Sequence, residues 1–179
     1  MMAPRGGTTG PDRSQPALLG IYLNDHLAGA TAGVELARRA AGACHGTATG
    51  VALESLAGEI ADDRTALVQI MRALGVPVRH YKVYAAWLGE KIGRLKLNGY
   101  LRGRSPLSTL VELEALRLGV DGKAAGWRIL RSLADGDTRL DRQRLDQLLD
   151  RARQQSQMLE ELRIRTAADI FGAAPTPRP

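Results

Sequence analysis

The chain has 179 residues, a length that suits one domain with its own hydrophobic core. Apolar residues make up 44% of it, but only one Phe, two Trp and four Tyr are present, so aliphatic side chains must form the core, which favours α-helices over a β-sandwich. The formal net charge is +6, the single cysteine excludes an internal disulfide, and no apolar run approaches the roughly 20 residues needed to span a bilayer.

The N-terminal segment, residues 1–16, is rich in Gly, Pro and Thr and lacks the apolar stretch of a signal peptide. We therefore expect a disordered N-terminal arm and a cytoplasmic protein. A helical bundle domain is predicted over residues 17–171, with a long connection at residues 76–104, and a disordered Pro-rich tail is predicted over residues 172–179.

Apolar residues at spacings of three and four predict a first helix over about residues 17–44. Gly29 and Gly33 each weaken an isolated helix by about 1 kcal/mol relative to Ala. We interpret them as a small face that lets a neighbouring helix, or a second copy of the chain, approach closely. The pair His45-Gly46 predicts the turn that ends this helix, with Thr47 or Thr49 as the next N-cap.

The second predicted helix carries an unbroken apolar stripe at helical spacing, and Gly75 and Pro77 predict its end. One member of the stripe is a carboxylate, Asp63. The other members are aliphatic: Leu53, Leu56, Ile60, Leu67, Ile70 and Leu74. A charge on an apolar stripe predicts either a buried polar layer or a functional site.

The connection over residues 76–104 contains a short predicted helix at about residues 78–97, and it is strongly basic. It holds one anion, Glu90, and its net charge equals that of the whole chain. Its seven cations are Arg79, Lys82, Lys91, Arg94, Lys96, Arg102 and Arg104. Four aromatic residues lie among them, so nucleic acid, an anionic membrane surface or an acidic partner protein would suit this segment. Alternatively, its apolar side packs on the bundle and the cations reach outward to solvent.

Two more long helices are predicted after the connection. Ser105-Pro106 is a helix start, with Ser as N-cap and Pro at the first helical position, and this helix is predicted to reach about Ala134. The turn Asp135-Gly136-Asp137 leads into the last helix, which is predicted to end near Phe171. Lys123 interrupts the apolar stripe of the first of these two helices.

Tight turns join the first two and the last two long helices, whereas a long connection separates the pairs. This order predicts an all-α four-helix bundle with one long crossover that carries an extra short helix. The layout resembles the ferritin-like superfamily over residues 17–171. That resemblance implies a di-iron or dimanganese centre built from helical Glu residues and Glu-x-x-His pairs. No glutamate in the four long helices has a histidine three residues later, so we expect neither that centre nor any cofactor, and His26, Glu59 and Asp63 remain the candidates for an atypical metal site.

Helix register predicts that three polar residues lie at one height inside the bundle. Counting from the turn at residues 45–46 places His26 beside Asp63, and counting from the parallel starts of two helices places Lys123 beside Asp63. One interpretation is a buried polar layer that sets the register. A second is a site for acid–base chemistry or for a small anion. In a third, the register differs and Lys123 is exposed.

The leading functional hypothesis from the sequence is a non-catalytic ferritin-like protein for self-association, as a homo-oligomer such as a dimer, or for partner binding. The buried polar layer then replaces the metal centre. The alternatives are a metal-binding or oxidoreductase protein with an atypical site, and a nucleic-acid-associated protein that uses residues 76–104.

Overall fold

The computed structural model describes residues 14–79 and 105–172, and this part of the chain is all-helical. It contains four long helices, α1 (Ser14–Ala43), α2 (Ala48–Ala73), α3 (Pro106–Leu133) and α4 (Arg142–Phe171). No strand occurs within these two ranges. The all-α class and the four long helices predicted from the sequence are therefore confirmed.

Local side-chain chemistry explains where three of the helices begin. Thr47 accepts a hydrogen bond from the Gly50 backbone N–H at 3.1 Å and caps α2. Ser105 accepts one from the Leu107 N–H at 3.3 Å, with Pro106 at the first helical position of α3. Asp141 caps α4 by accepting from the Arg144 N–H at 3.1 Å. Each cap satisfies a backbone donor that the helix itself leaves unpaired.

The end of α2 is set by Gly75, whose φ of 71° lies in the left-handed region that favours glycine. The Gly75 N–H donates to the Arg72 carbonyl and the Val76 N–H to the Met71 carbonyl, which is a Schellman motif. Beyond it, Val76 to Arg79 are not helical, so the short crossover helix does not begin at residue 78 as predicted. The rest of that helix, and all the predicted cations of the connection except Arg79, lie outside the described residues.

Asn24 of α1 holds the start of the connection. Its Nδ2 donates to the Pro77 carbonyl at 3.1 Å, and its Oδ1 accepts from the Arg79 backbone N–H at 2.7 Å. The side chain of Val76 also packs toward the core. These contacts lead the chain away from α2 on the side where α1 lies.

The helices pack as two antiparallel hairpins, α1 with α2 and α3 with α4, and the contact within each hairpin is more extensive than that between hairpins. The hairpins meet mainly where α1 lies along α3. Arg39, late in α1, pairs with Glu112, early in α3, at 3.5 Å, so these two helices are antiparallel. It follows that α2 and α3 run in the same direction.

The core between the helices is mostly leucine and alanine, with Trp127 as its one large aromatic residue in the described part of the chain. Its fully buried large side chains include leucines from all four helices: Leu23, Leu27, Leu53, Leu56, Leu113, Leu116, Leu130, Leu145 and Leu159. None of the four helices combines the length and the apolar character needed to cross a bilayer.

Candidate binding site

A cluster of polar side chains lies in this apolar interior, centred on Asp63 of α2. Asp63 is 1% exposed, and its Oδ2 accepts a hydrogen bond from the ammonium of Lys123 on α3. Its Oδ1 forms an ion pair with Arg151 of α4. One buried carboxylate thus joins three helices, because each of its oxygens has a cationic partner.

Gln155 of α4 completes this cluster, and it is also 1% exposed. Its Oε1 accepts from Lys123, while its Nε2 donates to Glu59 Oε2 at 2.8 Å and lies 3.4 Å from Asp63 Oδ2. We call Glu59, Asp63, Lys123, Arg151 and Gln155 the polar cluster. Two carboxylates and two cations leave it without net charge.

Lys123 of the polar cluster is less completely buried than Asp63 and Gln155. Its side chain is 13% exposed, and burial lowers the pKa of its ammonium, an effect that the neighbouring Asp63 carboxylate partly offsets. An ammonium has three N–H donors. Two of them go to Asp63 and Gln155, and the third has no acceptor among the described residues.

His26 of α1 lies outside the polar cluster and packs against α3. Its ring meets the Tyr22 ring edge-to-face with centroids 4.4 Å apart. A Cβ added at Gly126 would lie 3.1–3.3 Å from the imidazole atoms, so the absence of a side chain there makes room for the ring. Burial lowers the pKa of His26, with Asp25 acting weakly in the opposite direction. No hydrogen bond to Asp63 or Lys123 is found for His26 within the described ranges.

Between α1 and α3, and reaching α2, lies a cavity of about 680 Å³, which we call the α1–α3 cavity. Its wall is mainly apolar, formed by side chains such as Leu23, Leu36, Ile60, Leu67, Leu116 and Leu130. His26, Asp63 and Lys123 interrupt this wall on three different helices. An apolar cavity of this size with a few convergent polar groups is typical of a small-molecule site.

Missing side chains create the space for this cavity. Gly29 and Gly33 of α1 line it, as do Gly119, Gly122 and Gly126 of α3. At Gly29, Gly119 and Gly122 a Cβ would meet nothing within 4 Å. Next to them Leu118 is 73% exposed, an unusual position for a large apolar side chain that lines a cavity. The two helices therefore leave a gap at this level instead of packing side chain to side chain.

Trp127 adds a further buried donor to the cavity wall. The residue is 3% exposed and lines the cavity, and its indole Nε1 has no hydrogen-bond acceptor in the described part of the chain. Buried polar groups are nearly always paired, so an unpaired one beside a cavity is a feature that a ligand can satisfy.

The structure thus brings Asp63 and Lys123 into direct contact and places His26 on the wall of the same cavity. The sequence pattern indicated neither Gln155 nor Arg151, whose long side chain reaches Asp63 from a neighbouring turn of α4. Within residues 14–79 and 105–172 no three His, Cys, Asp or Glu side chains are grouped so that they could hold a metal ion. His26, Glu59 and Asp63 do not form such a group.

Comparison with known proteins assigns no family to the chain: no protein-family model matches it, and neither a curated protein nor a solved structure is significantly similar to it. The class of protein is therefore defined by the fold and the site alone. It is an all-α protein of two helical hairpins with an apolar cavity between them and a buried polar cluster beside that cavity.

Proposed function

We propose that this chain is a non-catalytic binding protein that holds an apolar small molecule in the α1–α3 cavity. In this proposal its ferritin-like layout has lost the metal centre, and the polar cluster occupies the middle of the bundle instead. The observation that carries the proposal is the cavity itself, about 680 Å³ of mainly apolar space, kept open by glycines on both helices.

The buried charges support binding in preference to catalysis. Both oxygens of Asp63 are engaged by cations, so this carboxylate has no free oxygen to act as a general base. Removing one partner of a buried ion pair is strongly destabilising, which favours a structural role for the cluster. The groups that remain available at the cavity wall are one N–H of Lys123, the indole N–H of Trp127 and the His26 imidazole, and these suit recognition of a ligand.

The test places a larger side chain in the cavity by substitution and measures the binding of Nile red, an uncharged dye that fluoresces in apolar surroundings. Gly122→Leu introduces a side chain at a position that lines the cavity and has nothing within 4 Å of its Cβ position. Because Gly is the poorest helix former after Pro, this change should not weaken α3. We expect wild-type protein to bind the dye with one saturable site, and Gly122→Leu to bind it at least about tenfold more weakly, a difference of about 1.4 kcal/mol.

The matched control is Gly58→Leu, at an exposed glycine of α2 that also has nothing within 4 Å and lies outside the cavity. It should bind Nile red as the wild type does. Equal dye affinity of the Gly122→Leu and Gly58→Leu variants, or no saturable binding by the wild type, would disprove the proposed function.

A second candidate function, self-association, is favoured by the same open face. Leu118 is 73% exposed beside Gly119 and Gly122, and a large exposed apolar side chain next to a small-residue surface is a feature of contact sites. In this candidate two copies of the chain associate through the mouth of the α1–α3 cavity and form a homodimer.

A further inference from the structure

We infer that the molecule held in the α1–α3 cavity is an apolar monocarboxylate, with its head group at Lys123 and His26 and its hydrocarbon part along the leucine-lined wall. This inference rests on the proposed function and specifies the class of ligand. It follows from the donors, acceptors and charges that line the cavity.

The buried carboxylate on the cavity wall, Asp63, is ion-paired with Lys123 and Arg151, whereas two donors on that wall lack an acceptor. Lys123 has one N–H without an acceptor, and the indole N–H of Trp127 has none either, among the described residues. The acceptors nearby are occupied, because Asp63 is held by Lys123 and Arg151, and Gln155 Oε1 is held by Lys123. A ligand that brings acceptor oxygens therefore fits these two donors.

A carboxylate fits these donors better than an alcohol does. Its two oxygens accept from two donors at once, and hydrogen bonds between an ammonium and a carboxylate are about twice as strong as those between neutral groups. The one carboxylate on the cavity wall outside the polar cluster is Asp25, which is exposed to solvent at the rim. Its charge is hydrated there and opposes a buried anion only weakly.

His26 supplies the charge that balances the bound anion. Because the polar cluster is neutral, an added carboxylate is not compensated by Lys123 alone. An anion beside the imidazole favours its protonated form, so binding is accompanied by proton uptake at His26. The charged and titratable groups on the same cavity wall are Tyr22 and Asp25 of α1, Asp63 of α2 and Lys123 of α3. The charge of Asp63 is neutralised by its two cationic partners, so Asp63 does not itself favour the protonated form of His26.

The hydrocarbon part of the ligand is accommodated by the rest of the wall. Leucines from three helices line the space, with Leu116 and Leu130 of α3 opposite Leu23 and Leu36 of α1. The volume of about 680 Å³ lies within the range of roughly 300–1,000 Å³ that is typical of small-molecule cavities. A straight alkyl chain of moderate length is therefore an appropriate probe.

The test compares three molecules with the same ten-carbon tail, decanoate, decan-1-ol and decylammonium, in displacement of Nile red from the full-length protein. We expect decanoate to bind at least about tenfold more tightly than either of the others. We also expect its affinity to be higher at about pH 6 than at about pH 8, since His26 must be protonated in the complex. Equal affinity of decanoate and decan-1-ol, or tighter binding of decylammonium, would overturn the assignment.

A conservative variant makes the test specific. His26→Phe keeps an aromatic ring between Tyr22 and Gly126 and removes both ring nitrogens. We expect His26→Phe to lower decanoate affinity about tenfold and to abolish the pH effect. An unchanged decanoate affinity or pH effect in His26→Phe would contradict the role of His26. If Nile red binds in a Gly122-dependent manner while decanoate shows no preference, the cavity is a binding site and only the ligand class is wrong.

Discussion

Asp63 brings a negative charge into an interior that is otherwise leucine and alanine, and its surroundings show how that charge is tolerated. Lys123 and Arg151 contact one oxygen each, and Gln155 links Lys123 to Glu59. Such a cluster contributes little net stability, because desolvation of the ions offsets their attraction, but loss of one member leaves other charges buried without partners.

The variant Asp63→Asn should therefore destabilise the protein far more than its small change in shape suggests. It leaves Lys123 and Arg151 without their shared counter-charge, and we expect the free energy of unfolding to fall by about 3–5 kcal/mol. The measurement is urea unfolding followed by circular dichroism. Asp62→Asn is the matched control, since Asp62 is an exposed carboxylate one residue away on the same helix. Equal stability of these two variants would refute a structural role for the cluster.

Residue chemistry also shows what the sequence predicts of this site and what it does not. The sequence predicts that Asp63 and Lys123 lie at the same level in the bundle. This follows from counting residues along two helices whose starts are marked by Thr47 and Ser105-Pro106. The participation of Arg151 does not follow, because a long side chain can reach an ion from a neighbouring turn and periodicity carries no information about such reach. Counting places His26 beside Asp63, whereas its described contacts are with the Tyr22 ring and the space left at Gly126.

At the scale of the elements, the contact of α1 with α3 depends on which glycines face the neighbouring helix. A Cβ added at Gly126 would lie 3.1–3.3 Å from the His26 imidazole, whereas one added at Gly122, one turn earlier on the same helix, would meet nothing within 4 Å. Both positions are glycines within α3, and they differ in whether an added side chain would meet the His26 ring. They therefore separate helix propensity from interhelical packing.

Gly126→Ala should lower the stability relative to Gly122→Ala. Both changes favour the helix by up to about 1 kcal/mol, but the methyl group at position 126 presses on the His26 ring and costs about 1–3 kcal/mol. Chemical denaturation of both variants measures the difference. Combining Gly126→Ala with His26→Ala should remove the penalty, because the ring that the new methyl group presses on is then absent. The effects of the two substitutions on stability should therefore not add. A penalty that persists in the double variant would show that His26 is not its cause.

Three helix boundaries were predictable because they depend on local chemistry, whereas α1 begins at Ser14, before its predicted start at about residue 17. Thr47, Gly75 and Ser105-Pro106 each mark an end that the structure has at the same place or within one residue. The α1–α3 cavity was not predictable, since it results from the coincidence of glycines on two helices distant in the chain. Gly29 and Gly33 indicated a small face, but their counterparts Gly119 and Gly122 become informative only when the two helices are seen side by side.

For the molecule as a whole, the homodimer proposed above would form at the open face between α1 and α3. If the chain forms a homodimer through the mouth of the cavity, Leu118→Glu places a charge in the contact and should shift the protein toward monomer by at least about tenfold in dissociation constant. Sedimentation velocity over a concentration series measures this. Ile164→Glu, at an apolar position of α4 that is 56% exposed and outside the cavity, is the control. A monomeric wild type at high concentration would exclude the dimer.

The unequal contacts within and between the hairpins also bear on the order in which the native state assembles. Contacts within each hairpin join residues near one another along the chain, and their closure entropy is small, so they can form early in folding. Closing the seam between α1 and α3 brings together residues far apart in the chain, such as Arg39 with Glu112 and His26 with Gly126, and is expected to come late. Changes along that seam should then act mostly on the rate of unfolding, and a molecule bound there would prolong the lifetime of the native state without hastening its formation.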